Sequence, residues 1–132
     1  LETSELLCAQ GNKVTIVEMA DAIAPGAYFQ HVDDAIPKLK AADTTFLTSS
    51  KLVKINPNGI EIENTKSGAT SNIAADFVVL SMGCRPDTSL YDELINTKDR
   101  DYKVYKIGDC VKVGRIANAT ESAYQLAIKL NR

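Results

Sequence analysis

Apolar and polar positions near the start of the chain predict a helix followed by a buried strand. Residues 2–10 combine leucines and alanine with helix-favouring neighbours, and Gly11 stands where a helix commonly ends. Residues 13–18 then hold a short run of β-branched apolar residues that ends in a carboxylate. Such a run is typical of a strand buried in a parallel sheet. Helix, glycine and strand together predict the second half of a βαβ unit.

A second helix is predicted by apolar residues at helical intervals, namely Phe29, Val32, Ile36 and Leu39. Pro37 falls within this pattern and is expected to kink the helix or to end its regular part. His31 is expected to be a surface residue of the same helix. After the helix, residues 44–48 predict a short strand.

Residues 50–75 change character, because apolar residues there alternate with lysines and glutamates. Turn signals at residues 57–59 and 66–68 divide this stretch into three short strands, the last near residues 72–74. The pattern predicts an antiparallel β-meander with one solvated face. Its charged side chains therefore need no functional explanation.

The second half of the chain contains two more apolar runs and two helical patterns. Residues 77–80 predict a buried strand, and residues 104–107 predict the last strand of the chain. Residues 89–95 predict a short helix, and residues 116–130 predict an amphipathic helix with one apolar stripe. The predicted fold class is α/β, with a Rossmann-like, mostly parallel sheet and the meander as an antiparallel insertion.

Composition and charge narrow the classes of partner. The chain of 132 residues is 45% hydrophobic, and no apolar run approaches the ~20 residues of a membrane span. A net charge of −2 provides no basic surface, so neither nucleic acid nor a membrane is an expected partner. Cys8, Cys84 and Cys110 share no CxxC spacing, which argues against a zinc site and indicates a reducing, cytoplasmic setting. Each cysteine is expected to be a small buried apolar residue.

Three predicted strand ends carry residues suited to nucleotide binding. In dinucleotide-binding folds, an acid after the second strand accepts hydrogen bonds from the adenosine ribose, and Glu18 has this position. The alternative is an ordinary solvated acid. Gly83 follows residues 77–80 at the edge where ligands gather, or else shapes a turn together with Pro86. Asp109 precedes a helix and suits a hydrogen bond to the ribityl hydroxyls of a flavin or to a water at its pyrophosphate.

Residues 13–18, 77–86 and 104–110, in this order, resemble the pyridine nucleotide-disulfide oxidoreductase superfamily. Residues 108–124 are similar, more narrowly, to the C-terminal part of NADH:flavin oxidoreductases of the 2-enoate and 2,4-dienoyl-CoA reductase type. The resemblance implies a parent flavoprotein in which an old-yellow-enzyme-like barrel, with FMN and an iron–sulfur cluster, precedes a region that binds NADH and FAD. It also implies that hydride passes from NADH to FAD and that an enoate-like substrate is reduced.

The resemblance further implies which residues bind the cofactors. Glu18 matches the acid that holds the adenosine ribose of NADH, and Gly83 matches the glycine of the loop against which that nucleotide packs. NADH is favoured over NADPH because Glu18 would repel a 2′-phosphate and no arginine occurs in residues 19–25. Without a convincing acid, base or nucleophile, the chemistry is expected to belong to the cofactors. The implied cofactor-binding residues are Glu18, Gly83, Arg85, Pro86, Gly108 and Asp109.

The predicted domain, residues 1–132, is partial, since the family's first strand and glycine-rich loop are absent from it. Residues 1–49 and 76–98 are the predicted nucleotide-binding core, residues 50–75 the meander, and residues 102–132 the terminal strand and helix of the FAD-binding part. The expected partner is the remainder of the parent flavoprotein. The isolated chain is expected to be inactive. The absent first strand leaves a gap in the predicted sheet, and the chain is expected to fill it with its own last strand or with another copy of itself.

Two other interpretations stay open on the sequence alone. The same module occurs in NADH oxidases and in disulfide reductases, and only the parent's other domains distinguish these enzymes. In a different class altogether, the chain is a folded remnant or an assembly module without activity.

Overall fold

The computed structural model describes residues 1–131, and the chain divides into a first unit, Leu1–Val79, and a second unit, Leu80–Arg132, whose last residue lies outside the described part. All four predicted helices form. The first unit contains, in chain order, α1 (Glu2–Ala9), β1 (Thr15–Val17), α2 (Phe29–Ala41), β2 (Thr45–Leu47), β3 (Ser50–Asn56), β4 (Gly59–Asn64) and β5 (Thr70–Ala74). The second contains α3 (Ser89–Asn96), a 3₁₀ helix (Gly108–Cys110) and α4 (Ile116–Leu130).

The first unit combines a parallel and an antiparallel sheet. β1 and β2 pair in parallel, with Thr15 opposite Thr45 and Val17 opposite Leu47. Parallel neighbours need a crossover connection, and α2 supplies it. β3, β4 and β5 pair in that order as an antiparallel sheet. The predicted α/β class, a Rossmann-like fold with a meander insertion, is therefore confirmed.

The meander has one apolar face and one charged face, as predicted. Ile60 and Ile62 on β4 are 9% and 5% exposed and form part of the core. One irregularity was not predicted from the sequence. A bulge between Leu52 and Lys54 leaves Val53 exposed. An extra residue in one strand breaks the apolar–polar alternation locally. The cross-strand pairs of the apolar face are Leu52–Ile62, Ile55–Ile60 and Ile60–Ile73, and those of the charged face are Lys51–Glu63 and Lys54–Glu61.

Helix α1 ends in a Schellman motif, as its glycine suggests. Gly11 has φ +83°, and its N–H donates to the Cys8 carbonyl at 2.9 Å. The N–H of Asn12 donates to the Leu7 carbonyl at 3.1 Å. Glycine adopts this left-handed conformation without the steric cost of a Cβ atom.

Helix α2 ends in the same motif without a glycine. The N–H of Asp43 donates to the Lys40 carbonyl at 3.1 Å, and the N–H of Thr44 donates to the Leu39 carbonyl at 3.0 Å. Asp43 has φ +57°, which strains a residue with a Cβ atom. The helix also runs past Pro37 to Ala41, so of the two predicted effects of the proline, a kink or an end of the regular helix, the second is wrong.

The apolar face of α2 supplies the rest of the core. Ala35 is 3% and Leu39 1% exposed, and α2 packs against α1. His31 lies on the surface, as predicted, with its Nδ1 atom 3.8 Å from the Glu2 carboxylate. The Lys38 ammonium pairs with Asp34 and lies 3.6 Å from Glu5 of α1. The Asp34 hydrogen bond, the main cause, raises the pKa of Lys38 above its ordinary value.

Two predicted strands are absent from the described residues. Residues 77–80 are in no strand, and Phe77, Val79 and Leu80 are 90%, 62% and 57% exposed. Residues 104–107 are likewise in no strand, so they do not fill the gap in the sheet as expected. Both runs have strand-forming composition, but a strand requires a neighbour to share its backbone hydrogen bonds. Neither run has such a neighbour among residues 1–131.

The second unit consists of α3, the 3₁₀ helix, the longer helix α4 and the connections between them. The Lys106 ammonium lies over the Tyr91 ring, 4.7 Å from its centroid. Asp87 precedes α3 and accepts a hydrogen bond from the Ser89 N–H at 3.0 Å. That backbone hydrogen bond lowers the pKa of the Asp87 carboxyl from its ordinary value. Throughout the part of the chain that is described, no helix has both the length and the apolar character needed to cross a membrane.

Candidate functional site

Glu18 directly follows β1 at the carboxyl end of the parallel pair, where the sequence places it. Its N–H donates to the Leu47 carbonyl at 2.8 Å, and its own carbonyl accepts the Ser50 N–H at 2.9 Å. The backbone of Glu18 is therefore fixed on both sides. Glu18 as a whole is half-buried.

The Glu18 carboxylate is oriented by the loop that follows it. Its Oε1 atom accepts a hydrogen bond from the Ala20 N–H at 2.9 Å. The other oxygen, Oε2, has no hydrogen-bond partner among residues 1–131. A carboxylate held in this way can accept hydrogen bonds from hydroxyl donors at Oε2. The remaining lone pairs of Oε1 can accept them as well.

Gly83, Arg85 and Pro86 lie in an exposed irregular segment of the second unit. Gly83 has φ +73°, and a Cβ atom placed there would meet no heavy atom within 4 Å. The backbone conformation, rather than crowding, therefore calls for glycine at this position. Cys84 is exposed, so its predicted burial is wrong, while Cys8 and Cys110 are partly buried.

Gly108 and Asp109 lie in the 3₁₀ helix before α4. The Gly108 N–H donates to the Ser122 Oγ atom of α4 at 3.1 Å, and Gly108 has φ +61°. The Asp109 Oδ1 atom accepts the Gly114 N–H at 3.2 Å, close to the start of α4. The side chain of Asn118 accepts the Arg115 N–H at 2.9 Å and caps the helix. The sequence predicted a strand before this turn, but it did place the carboxylate near the N-terminus of α4.

The structure thus groups the candidate residues by unit. Glu18 belongs to the first unit, and the other five, Gly83, Arg85, Pro86, Gly108 and Asp109, belong to the second. Sequence reasoning missed the partners that hold these residues, above all Ala20, Ser50 and Gly114. Backbone N–H donors carry no signature of residue type, which explains the omission. No cluster of residues suited to a metal ion occurs within residues 1–131.

A cavity of about 370 Å³ lies between α1 and α2. Cys8 and Leu39 are among its lining residues, and Glu5 and Lys38 are its charged ones. The Cys8 Sγ atom forms a hydrogen bond with the Thr44 hydroxyl, at a distance of 3.3 Å. None of the six candidate residues lines this cavity.

The family described as pyridine nucleotide-disulphide oxidoreductase matches residues 1–125 of the chain. The chain belongs to this family, and the resemblance found in the sequence is confirmed. It is therefore a nucleotide-binding domain of an oxidoreductase family.

Individual proteins agree with this placement. The chain is similar to a bilirubin reductase of Mediterraneibacter gnavus, with 31% identity over 96% of this chain and 19% of the relative. It is similar to an NADH oxidase of Thermoanaerobacter brockii, with 32% identity over 96% of this chain and 19% of that relative. A solved structure of a 2-naphthoyl-CoA reductase matches with 28% identity and a TM-score of 0.70, over 96% of this chain and 19% of that one. The chain spans about a fifth of the length of the curated relatives it matches.

Proposed function

We propose that this chain is the nucleotide-binding part of a larger, cytoplasmic NADH-dependent flavin oxidoreductase. Its residues would hold NADH and contribute to the FAD site, while the remainder of the parent flavoprotein completes both. When bound, NADH supplies a hydride and FAD accepts it. The proposed division is residues 1–49 and 76–98 for the nucleotide-binding core, residues 50–75 for the meander and residues 102–132 for the FAD-binding part.

The observation that carries the proposal is the environment of Glu18. The carboxylate lies at the carboxyl end of a parallel strand pair, where dinucleotide-binding folds hold the ribose. Ala20 orients one oxygen through its N–H, and the other has no partner among the described residues. The carboxylate fits two ribose hydroxyls, because each hydroxyl needs an acceptor and both oxygens keep lone pairs that no described residue uses.

The same carboxylate supports NADH over NADPH. A 2′-phosphate would place a second anion against Glu18, and residues 19–25 contain no lysine or arginine to offset it. Like charges at such a distance disfavour binding, so the proposed selectivity follows from repulsion rather than from an added contact.

The test is the Glu18→Ala variant of the full-length protein. We expect the ratio of kcat/KM for NADH to that for NADPH to fall by about tenfold or more, chiefly through KM. Glu61→Ala is the matched control, since Glu61 lies on the charged face of the meander opposite Lys54. An unchanged ratio in Glu18→Ala would show that the assignment is wrong.

For the flavin, we propose that Gly108 and Asp109 lie against the ribityl chain and pyrophosphate of FAD. Support comes from the left-handed Gly108, which brings backbone close to a ligand without a side chain, and from Asp109 beside the start of α4. Gly83, Arg85 and Pro86 are proposed to form the loop that packs against the nicotinamide nucleotide. Asp109→Ala should lower the FAD content of the purified full-length protein, measured by absorbance, whereas Asp99→Ala on an exposed connection should not.

The proposed final substrate is enoate-like, reduced on a barrel that carries FMN and an iron–sulfur cluster outside this chain. Similarity to a 2-naphthoyl-CoA reductase supports this choice. The second candidate, reduction of oxygen, is favoured by 32% identity to an NADH oxidase. Two measurements on the full-length protein distinguish these candidates. One is anaerobic NADH oxidation with an enoyl-CoA, and the other is oxygen uptake without the enoyl-CoA.

The isolated chain has a different proposed behaviour. We expect NADH to bind it no more tightly than about 1 mM, because the phosphate-binding loop is not among its residues. We also propose that copies self-associate through the exposed run at residues 77–80, since Phe77 is 90% exposed. Calorimetric titration and sedimentation velocity test these two points, and micromolar NADH binding would contradict the first.

A protein whose full-length form neither binds NADH nor carries flavin would instead be the non-catalytic module.

A further inference from the structure

Ser49 has an unusual backbone conformation between β2 and β3. Its φ is +49°, although it is not a glycine, and only 6% of its surface is exposed. Residues with a Cβ atom avoid this region and remain there only where their surroundings determine the conformation. The hydrogen bonds around Ser49 identify those surroundings.

Two consecutive amides at this turn reach the loop after β1. The Ser49 N–H donates to the Ala20 carbonyl at 2.6 Å, and the Ser50 N–H donates to the Glu18 carbonyl at 2.9 Å. A left-handed residue allows successive N–H groups to point to the same side of the chain. The conformation of Ser49 is therefore what lets both amides hold one loop.

The loop that Ser49 holds is the loop that orients the Glu18 carboxylate. The Ala20 N–H donates to the Glu18 Oε1 atom at 2.9 Å, and the carbonyl of the same residue accepts from Ser49. A continuous path of hydrogen bonds thus runs from Ser49 through Ala20 to the carboxylate. The Glu18 backbone is fixed in parallel by Ser50.

The other side of Ser49 is attached to the meander. Its carbonyl accepts the Thr65 N–H at 2.8 Å and the Thr65 Oγ1 hydroxyl at 3.2 Å. Thr65 begins the turn between β4 and β5. Ser49 therefore connects the meander to the loop after β1 by hydrogen bonds on both of its peptide groups.

We infer that Ser49 is a positioning residue for the nucleotide site, whose left-handed backbone sets the Glu18 carboxylate for the adenosine ribose. The inference rests on the proposed function for its ligand, but its geometric part concerns Ala20 and Glu18 alone. It requires the conformation of Ser49 and not its hydroxyl. Glycine should consequently replace Ser49, whereas a β-branched residue, which strongly resists positive φ, should not.

The functional arm of the experiment uses Ser49→Val and Ser49→Gly in the full-length protein. In Ser49→Val, the NADH-to-NADPH ratio of kcat/KM should fall by about fivefold, with KM for NADH raised and kcat within about twofold of the parent value. Ser49→Gly should keep the parent ratio. Asp43→Val is the matched control, because Asp43 also has a positive φ, +57°, but ends α2. It should lower the melting temperature and leave the ratio unchanged.

The geometric arm measures hydrogen exchange of the Ala20 amide and needs no nucleotide. Ser49→Val should lower the protection of this amide by about tenfold, and Ser49→Gly should preserve it. Ser49→Thr, which is also β-branched but keeps the hydroxyl, serves if the valine variant does not fold. Equal losses in the glycine and valine variants, or unchanged Ala20 protection in Ser49→Val, would overturn the inference.

The two arms separate failure of the inference from failure of the proposed function. If Glu18→Ala leaves the nucleotide preference unchanged, the ribose assignment is wrong, and the exchange data still decide whether Ser49 positions the carboxylate. If Glu18→Ala lowers the preference and Ser49→Val does not, the positioning role is wrong while the proposed function stands.

Discussion

The two units of the chain differ in how they are stabilised. Every buried apolar side chain among residues 1–131 belongs to the first unit, where Leu39 is 1% and Ile62 5% exposed. The helices of the second unit have no buried residue, and Ile116 at the start of α4 is 87% exposed. Burial of apolar surface is the main favourable term in folding. The first unit therefore has its own core, whereas the apolar faces of α3 and α4 are not buried by any of the described residues.

Local pairing explains much of this difference. The three strands of the meander are consecutive in the chain and joined by short turns, so each finds its neighbour within a few residues. Residues 77–80, at the boundary between the units, and residues 104–107 of the second unit have similar composition but pair with no strand among residues 1–131. The comparison shows that composition predicts a strand only where the sequence also supplies its partner.

The largest expected effect breaks the meander of the first unit. A Cβ atom at Gly59 would lie 2.0 Å from the Ile73 carbonyl oxygen, and Gly59 has φ +144°. Gly59→Ala should therefore lower the free energy of unfolding by about 3 kcal/mol or more. Gly68→Ala, in the connection between β4 and β5, is the control, since its Cβ atom would meet nothing within 4 Å and only its φ of +72° opposes it. It should cost about 1 kcal/mol by urea unfolding, and equal losses would refute the steric account.

The second prediction compares one leucine from each unit. Leu39 is 1% exposed, so Leu39→Ala should leave a cavity and cost about 3 kcal/mol. Leu126 of α4 is only half-buried, and Leu126→Ala should cost less than about 1 kcal/mol. Urea unfolding followed by circular dichroism measures both variants. Similar losses would show that α4 has a buried face and would remove the contrast between the units.

A smaller, stabilising effect is expected at the end of α2. Asp43→Gly relieves a left-handed residue and removes an acid from a helix C-terminus, so it should stabilise the chain by about 1 kcal/mol. Gly11→Asp introduces the same arrangement at the end of α1 and should be destabilising by a similar amount. Thermal unfolding of both variants checks the prediction, which fails if Asp43→Gly lowers the melting temperature.

The smallest effect concerns the start of α3 in the second unit. The Ser89 N–H lowers the folded-state pKa of Asp87, so the carboxylate's contribution is present above the ordinary pKa of 3.8 and is lost as the pH falls through the lowered folded-state value. Amide shifts of Ser89–Asn96 followed from about pH 6 to about pH 2.5 should report slight fraying at the acid end. Asp87→Asn should remove this pH dependence. Fraying of the same size in that variant would assign it to another group.

Elements defined by local patterns could be predicted from the sequence. Helix α4 was predicted at residues 116–130 and is found there, and the turn signals located the meander correctly. Features that depend on partners distant in sequence could not be predicted. Ser49 looks like an ordinary serine in sequence, and only its contacts with Ala20 and Thr65 show why its backbone is left-handed.

The candidate site divides in the same way. Glu18 and Asp109 were found because a carboxylate after a strand, or before a helix, is visible in the sequence. The amides that hold them, those of Ala20 and Gly114, depend on loop geometry. The positions of these two candidate carboxylates are thus predictable from the sequence, whereas the groups that orient them are not.

The central claim is that Glu18 binds the adenosine ribose, and a crystal structure of the full-length protein with NADH tests it most directly. The account predicts both ribose hydroxyls within about 2.5–3.0 Å of the Glu18 carboxylate, with the Ala20 N–H still bound to Oε1. A ribose held by another residue, with Glu18 facing solvent, would contradict it.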